Sequence, residues 1–440
     1  MKKLWILFFA LTLCIAAPAL ADDPIVINTP GEHTITLSNQ TISGINGPAI
    51  DIQAPATRVT IILKNNTTTE LNGSTDYAGI ANNGVDLVIR CEGAGETHTC
   101  TDTCGKLIVK GGYGGAGIGG NNATEGHDGS FNGSLTIMGG HITAEGGVWS
   151  SGIGSGNYGA FNGKVSITGG TVTATGGNYS AGIGSGGGDM TGSVTISGGT
   201  VIAKGGDLSA GIGSCDDSMN GTVIISGGTV TATGGKYGAG IGSGTYSMNG
   251  TVIISGGTGT AIGGSYGAGI GSGANDMYGT VTLSGGTVTA TGGVYGAGIG
   301  SGHGDMNGSI ILSGGTVTAT GDGYTAAIGA GSGGPVTEDA VIEVNPTSGK
   351  IAVKAGADQA GAVALEGSPF TAKTSLKDAL KDKQYAKFEF VAPPATPVPS
   401  PTPAPDVPAT GDSMNFALLA SLAAVSMLGV TVLLRKRNEA

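Results

Sequence analysis

The sequence predicts an all-β chain wound as a parallel β-helix of about ten coils, with a C-terminal transmembrane helix. Three observations predict this. The isoleucine of a recurring A-G-I-G core falls at Ile50, Ile80, Ile118, Ile153, Ile183, Ile212, Ile241, Ile270, Ile299 and Ile328, and the last five steps are 29 residues each. Between these markers every copy holds short runs that alternate apolar and polar residues with period two, a strand pattern. Near the end, Phe416–Leu434 is a predominantly apolar run of 19 residues followed by Arg435-Lys436-Arg437, long enough for one membrane crossing.

One copy, Tyr266–Gly293, shows how a coil is built. A first run contains A-G-I-G, a second reads Thr280-Val281-Thr282-Leu283-Ser284, and a third reads Thr287-Val288-Thr289-Ala290-Thr291. The glycine pairs Gly285-Gly286 and Gly292-Gly293 are expected to turn corners at positive φ. Each strand then pairs with its equivalent one coil away at about 4.8 Å, giving a rod on the order of 50 Å long. Alternation sends Val281, Leu283, Val288 and Ala290 inward onto Val252, Ile254, Gly259 and Ala261, and sends Thr287, Thr289 and Thr291 outward. Two further rows align: Phe161, Met190, Met219, Met248, Met277 and Met306, and Trp149, Tyr179, Leu208, Tyr237, Tyr266, Tyr295 and Tyr324. The earlier steps of 30, 38, 35 and 30 residues place insertions in the N-terminal copies.

The flanks differ in composition. Residues 1–21 carry Lys2-Lys3, an apolar stretch and Ala19-Leu20-Ala21, the pattern of a secretory leader. Residues 22–112 read as an N-terminal cap with degenerate coils, 113–334 as regular repeats and 335–391 as a C-terminal cap. Within that cap Ser375–Tyr385 reads as a short polar helix capped by Ser375. Residues 392–406 are a proline-rich spacer of extended polyproline type, and residues 407–440 hold the closing signal, with the transmembrane segment at 416–434 and the basic tail.

The formal charge of −11 and the absence of a basic patch in the repeats argue against nucleic acid as a partner. Cys91, Cys100 and Cys104 cluster in one insertion with His98. Three readings stay open for them: a disulfide, as suits a secreted chain, unpaired thiols, or a zinc site. Asp189, Asp217, Asp276 and Asp305, with His303 near the last, fall on one loop line, where oxygen ligands for calcium are an option set against a merely solvated corner. No cofactor is expected otherwise. No Ser/His/Asp or Cys/His set stands out, no pair of acids is singled out for glycosidic cleavage, and the G-x-G strings precede no helix that would cradle phosphate.

Val407-Pro408-Ala409-Thr410-Gly411, the apolar run and the basic tail together resemble the sortase sorting signal of Gram-positive surface proteins, with Val407 where that family has Leu. The resemblance implies cleavage between Thr410 and Gly411 and a bond from Thr410 to peptidoglycan, so that sortase and peptidoglycan are partners and the mature chain is secreted and wall-anchored. The repeats resemble the Gly-rich β-helical repeats of bacterial surface proteins and, more loosely, the pectin-lyase-like fold. What this implies is a non-enzymatic surface protein for adhesion or glycan binding, with Trp149, Tyr179, Tyr237, Tyr266 and Tyr295 as candidates to stack on the sugar rings of a host or environmental glycan. The alternative is a polysaccharide lyase or glycoside hydrolase on the same fold. A second alternative is an ice- or surface-binding array, because the Thr171, Thr173 and Thr175 rows are similar to those of ice-binding β-solenoids.

Overall fold

The computed structural model of the chain describes residues 11–13, 23–54, 56–93, 101–123 and 128–392. Three parallel sheets run along one rod, and each coil contributes a strand to each sheet. Following one coil, the chain passes through Ile270–Gly271 in the third sheet, Thr280–Leu283 in the first and Thr287–Thr291 in the second. The third sheet counts eleven strands, from Ile25–Ile27 to Ile328–Gly329, so the solenoid has about eleven turns where the marker isoleucines give ten. The additional turn begins at Ile25, which pairs with Ile50 in register although no A-G-I-G precedes it.

The registers follow the alternation. Val281 pairs with Val252, Leu283 with Ile254, Val288 with Gly259 and Ala290 with Ala261. All ten marker isoleucines are at most 1% exposed, while Thr287 and Thr289 face solvent. The methionine row forms a continuous line of bridges that extends past the sequence pattern, starting at Phe131 and ending on Val336. Its first rung stacks Phe131 on Phe161 at 5.1 Å between ring centroids.

The glycines of the motif have two separate duties. Gly242, the second glycine of A-G-I-G, sits at φ 139°, and a Cβ there would lie 1.8 Å from the Gly271 carbonyl oxygen of the next coil. Gly286 turns its corner at φ 76°, as its place in a Gly-Gly pair suggests. The second pair, Gly292-Gly293, is not at positive φ and corrects that expectation: it is required for space, since a Cβ on Gly293 would meet the Gly264 carbonyl oxygen at 1.7 Å.

At the C-terminal end the strands turn antiparallel. Tyr385–Val391 pairs with both Thr316–Thr320 and Lys350–Gly356, and Thr374–Ser375 pairs with Glu343–Val344. That pairing shortens the expected helix over Ser375–Tyr385 to Lys377–Leu380: Ser375 is spent in the sheet, Leu376 stands at the N-cap without a side-chain cap, and Tyr385 opens the next strand. Leu380 is fully buried and seats the single turn.

The expected transmembrane helix is a correction to the fold class. Among the described residues the helix Lys377–Leu380 has four residues, and none is long and apolar enough to cross a membrane. The fold is an all-β parallel solenoid, and the stretch 416–434 lies outside the described residues, as do the spacer beyond residue 392 and Val407–Gly411. Of the leader stretch, Leu11–Leu13 is described, and it pairs in parallel with His33–Ile35.

Candidate functional site

Each coil turns from the second sheet into the third at a corner that carries the aromatic row. Backbone bonds from coil to coil fix its spacing: Tyr237 N–H donates to Asp207 O at 2.8 Å, Tyr266 to Lys236 O at 2.9 Å and Tyr295 to Ser265 O at 2.8 Å. The opposite bank is the loop that follows the third-sheet strand. A buried serine row pins this loop. Gly244 N–H donates to Ser214 Oγ at 3.3 Å, Gly273 to Ser243 Oγ at 3.2 Å and Gly302 to Ser272 Oγ at 3.1 Å. Ser243, Ser272 and Ser301 in turn donate to loop carbonyls at 2.6–2.7 Å. The sequence carries the signal for this row, a serine directly after A-G-I-G in successive copies.

The structure divides the aromatic row in two. Tyr237, Tyr266 and Tyr295 stack on one another, with centroids 4.8 and 4.7 Å apart and planes inclined by 12° and 24°. Stacking of this kind stabilises the row itself, and a saccharide ring between two such faces would need a gap on the order of twice that distance. The His303 ring meets Tyr266 and Tyr295 edge-on, both at 5.9 Å, and Lys236 Nζ stands 5.0 Å from the Tyr237 centroid. The rings are therefore packed against one another and their neighbours, with Tyr237 and Tyr266 half-buried and Tyr295 37% exposed.

The N-terminal half is open. Trp149 and Tyr179 are 6.4 Å apart and inclined by 35°, and Leu208 interrupts the row after them. Tyr113, one residue out of register with the motif and so missing from the sequence pattern, supports Trp149 edge-on at 5.3 Å. Across the corner stands Tyr158, 69% exposed and held at φ 54°. Trp149, Tyr158, Tyr179 and Leu208 wall a groove of about 360 Å³, with Gly186 and Gly187 on its lining and Asn157 and Asp216 as its polar groups.

A single residue makes the difference. From Ile153 to Phe161 the chain takes eight residues where Ile183 to Met190 takes seven, so the 30-residue step is an insertion in this loop. Tyr158 absorbs it in a left-handed conformation, a strained choice for a bulky residue. Gly187 of the next coil leaves room for it: a Cβ there would lie 2.5 Å from Tyr158 N. Asn157 is 5% exposed and donates to Asn122 Oδ1 at 3.1 Å, and Asn122 donates to Asp76 Oδ1 at 2.5 Å, a buried amide chain that fixes the base of the loop. Two buried hydroxyls have no partner among the described residues, Ser150 and Ser209, each one residue past a groove wall.

The remaining candidates separate. Asp216 and Asp189 repel the Asp217 carboxylate, which burial first and these two neighbours next push above the usual carboxylate range. Asp276 accepts from Asp305 N–H at 2.7 Å and from the Tyr278 hydroxyl at 2.8 Å. Among the described residues no group of three or more His, Cys, Asp or Glu is placed to hold a metal ion. Cys91 and Cys104 are buried against each other, and Cys100 and His98 lie outside the described residues. Cys215 takes the place of the loop glycine in its coil. Its N–H donates to Ser185 Oγ at 3.1 Å, and burial pushes its thiol up to about 11.

A family model of the beta helix repeat matches residues 135–157, 165–187, 194–214, 223–245, 281–303 and 310–334. The matched segments are β-helix repeats, as the coils describe them. No curated protein and no solved structure matches it.

Proposed function

We propose that this chain is a surface-displayed β-helix that binds a glycan in the groove of Trp149, Tyr158 and Tyr179. The observation that carries the reading is the opening of the aromatic row at Trp149 and Tyr179: with Tyr158 they line a groove of about 360 Å³, while Tyr237, Tyr266 and Tyr295 stack on one another. Sugar rings present C–H faces to aromatic planes, and a site of this kind adds a few polar groups that fix orientation. Asp216 supplies one, and the buried Asn157 holds the base of the Tyr158 loop. The solenoid holds both banks on rigid coils, so the groove is formed before the ligand arrives. Secretion through the leader at residues 1–21 and wall attachment through Thr410 complete the proposal: sortase would join the Thr410 carboxyl to peptidoglycan and leave the rod outside the cell.

The test is retention on a glycan array of the full chain and of Tyr158→Ala. The exposed ring of Tyr158 can be removed without opening the core, so loss of retention with an unchanged strand spectrum is expected. Retention equal to that of the parent on every glycan would contradict the reading.

A further inference from the structure

The class of sugar the groove takes is set by charge, and this step rests on the glycan-binding reading above. Asp216 is the one charged residue among those lining the groove. Asp217 lies beside it, its carboxyl raised first by burial and then by repulsion from Asp189 and Asp216. The ion pairs of the described residues, Lys110–Glu70, Lys373–Glu343 and Lys387–Glu389, involve none of the three. The groove thus joins aromatic faces, which are negative at the ring centre, to the Asp216 carboxylate, which has no ion pair among the described residues, and both attract a cation. The same corner already accepts an ammonium three coils further on, where Lys236 Nζ lies 5.0 Å from the Tyr237 ring. The carboxylates of a uronate polymer would be repelled by Asp216 here.

We propose that the groove binds an amino-sugar polymer in its unacetylated form, with a ring against Trp149 and Tyr179 and its ammonium facing Asp216. Acetylation removes the charge and keeps the ring, so it isolates the ionic part of the recognition.

Calorimetric titration of the full chain with a glucosamine hexamer, an N-acetylglucosamine hexamer and a galacturonate hexamer tests this. The glucosamine hexamer is expected to bind at least ten-fold more tightly than the acetylated one, with no heat from the galacturonate. Asp216→Asn is expected to narrow the ten-fold preference to less than three-fold. Equal affinity for the glucosamine and N-acetylglucosamine hexamers, or a preference that Asp216→Asn leaves intact, would overturn the charge assignment and leave glycan binding standing. Binding of none of the three would overturn both. Tyr158→Ala, which adds no charge, is expected to weaken both glucosamine forms by a similar factor, and a loss confined to the charged form would overturn the placement of the ring.

Discussion

Two glycines of neighbouring type respond to substitution in opposite directions, because one position lacks space and the other has it in excess. Gly242→Ala must accept φ 139° and a Cβ 1.8 Å from a carbonyl oxygen, and is expected to destabilise the rod by about 2–4 kcal/mol. Gly259 stands buried in the row Val230–Gly259–Val288 with nothing within 4 Å of a Cβ. Gly259→Val is expected to stabilise by about 1–2 kcal/mol, from filled volume and a less free unfolded chain. Denaturant midpoints of the two variants check both signs. Cys215 gives a pH-dependent case. The folded state raises the thiol from 9.0 to about 11, so it holds the proton more tightly than the unfolded chain does. This contribution is fully present below pH 9 and is lost as pH rises through the interval to 11, at a cost of roughly 2–3 kcal/mol. Comparing the parent with Cys215→Ala at pH 8 and pH 11 isolates it, the parent losing more stability than the variant.

At the scale of the coil, the tyrosine stack is a structural element. Tyr266 stacks on both Tyr237 and Tyr295, so Tyr266→Ala removes two ring pairs and is expected to cost about 2–3 kcal/mol in thermal or denaturant melts. The coil itself was legible from the sequence. A strand that pairs with its equivalent one period away must repeat its apolar positions in register, and Val281, Leu283 and the marker isoleucines display this openly. The site was only half legible. Trp149 and Tyr179 appear as members of a row, yet nothing in a row says which rings touch, since that depends on side-chain inclination across a 4.7–6.4 Å step. Tyr158 escapes because it belongs to no row, and its one signal is the extra residue in a 30-residue step. The helix is shorter than the polar pattern over Ser375–Tyr385 suggests, because that pattern competes with strand pairing that only the assembled rod supplies.

For the whole molecule, the solenoid gives a repeated surface from which the N-terminal coils depart by insertion. A uniform rod offers the same corner many times, and the proposed site lies where an insertion and an interruption in the row coincide. Two sets of substitutions along the same corner therefore separate binding from stability. Retention on immobilised glycan, measured side by side for Trp149→Ala/Tyr179→Ala and for Tyr237→Ala/Tyr266→Ala/Tyr295→Ala, tests the central claim most directly. The account predicts that the first pair loses retention while keeping the strand spectrum, and that the triple variant melts lower but still binds. Retention that survives the first set and disappears with the second, in a chain that remains folded, would contradict it.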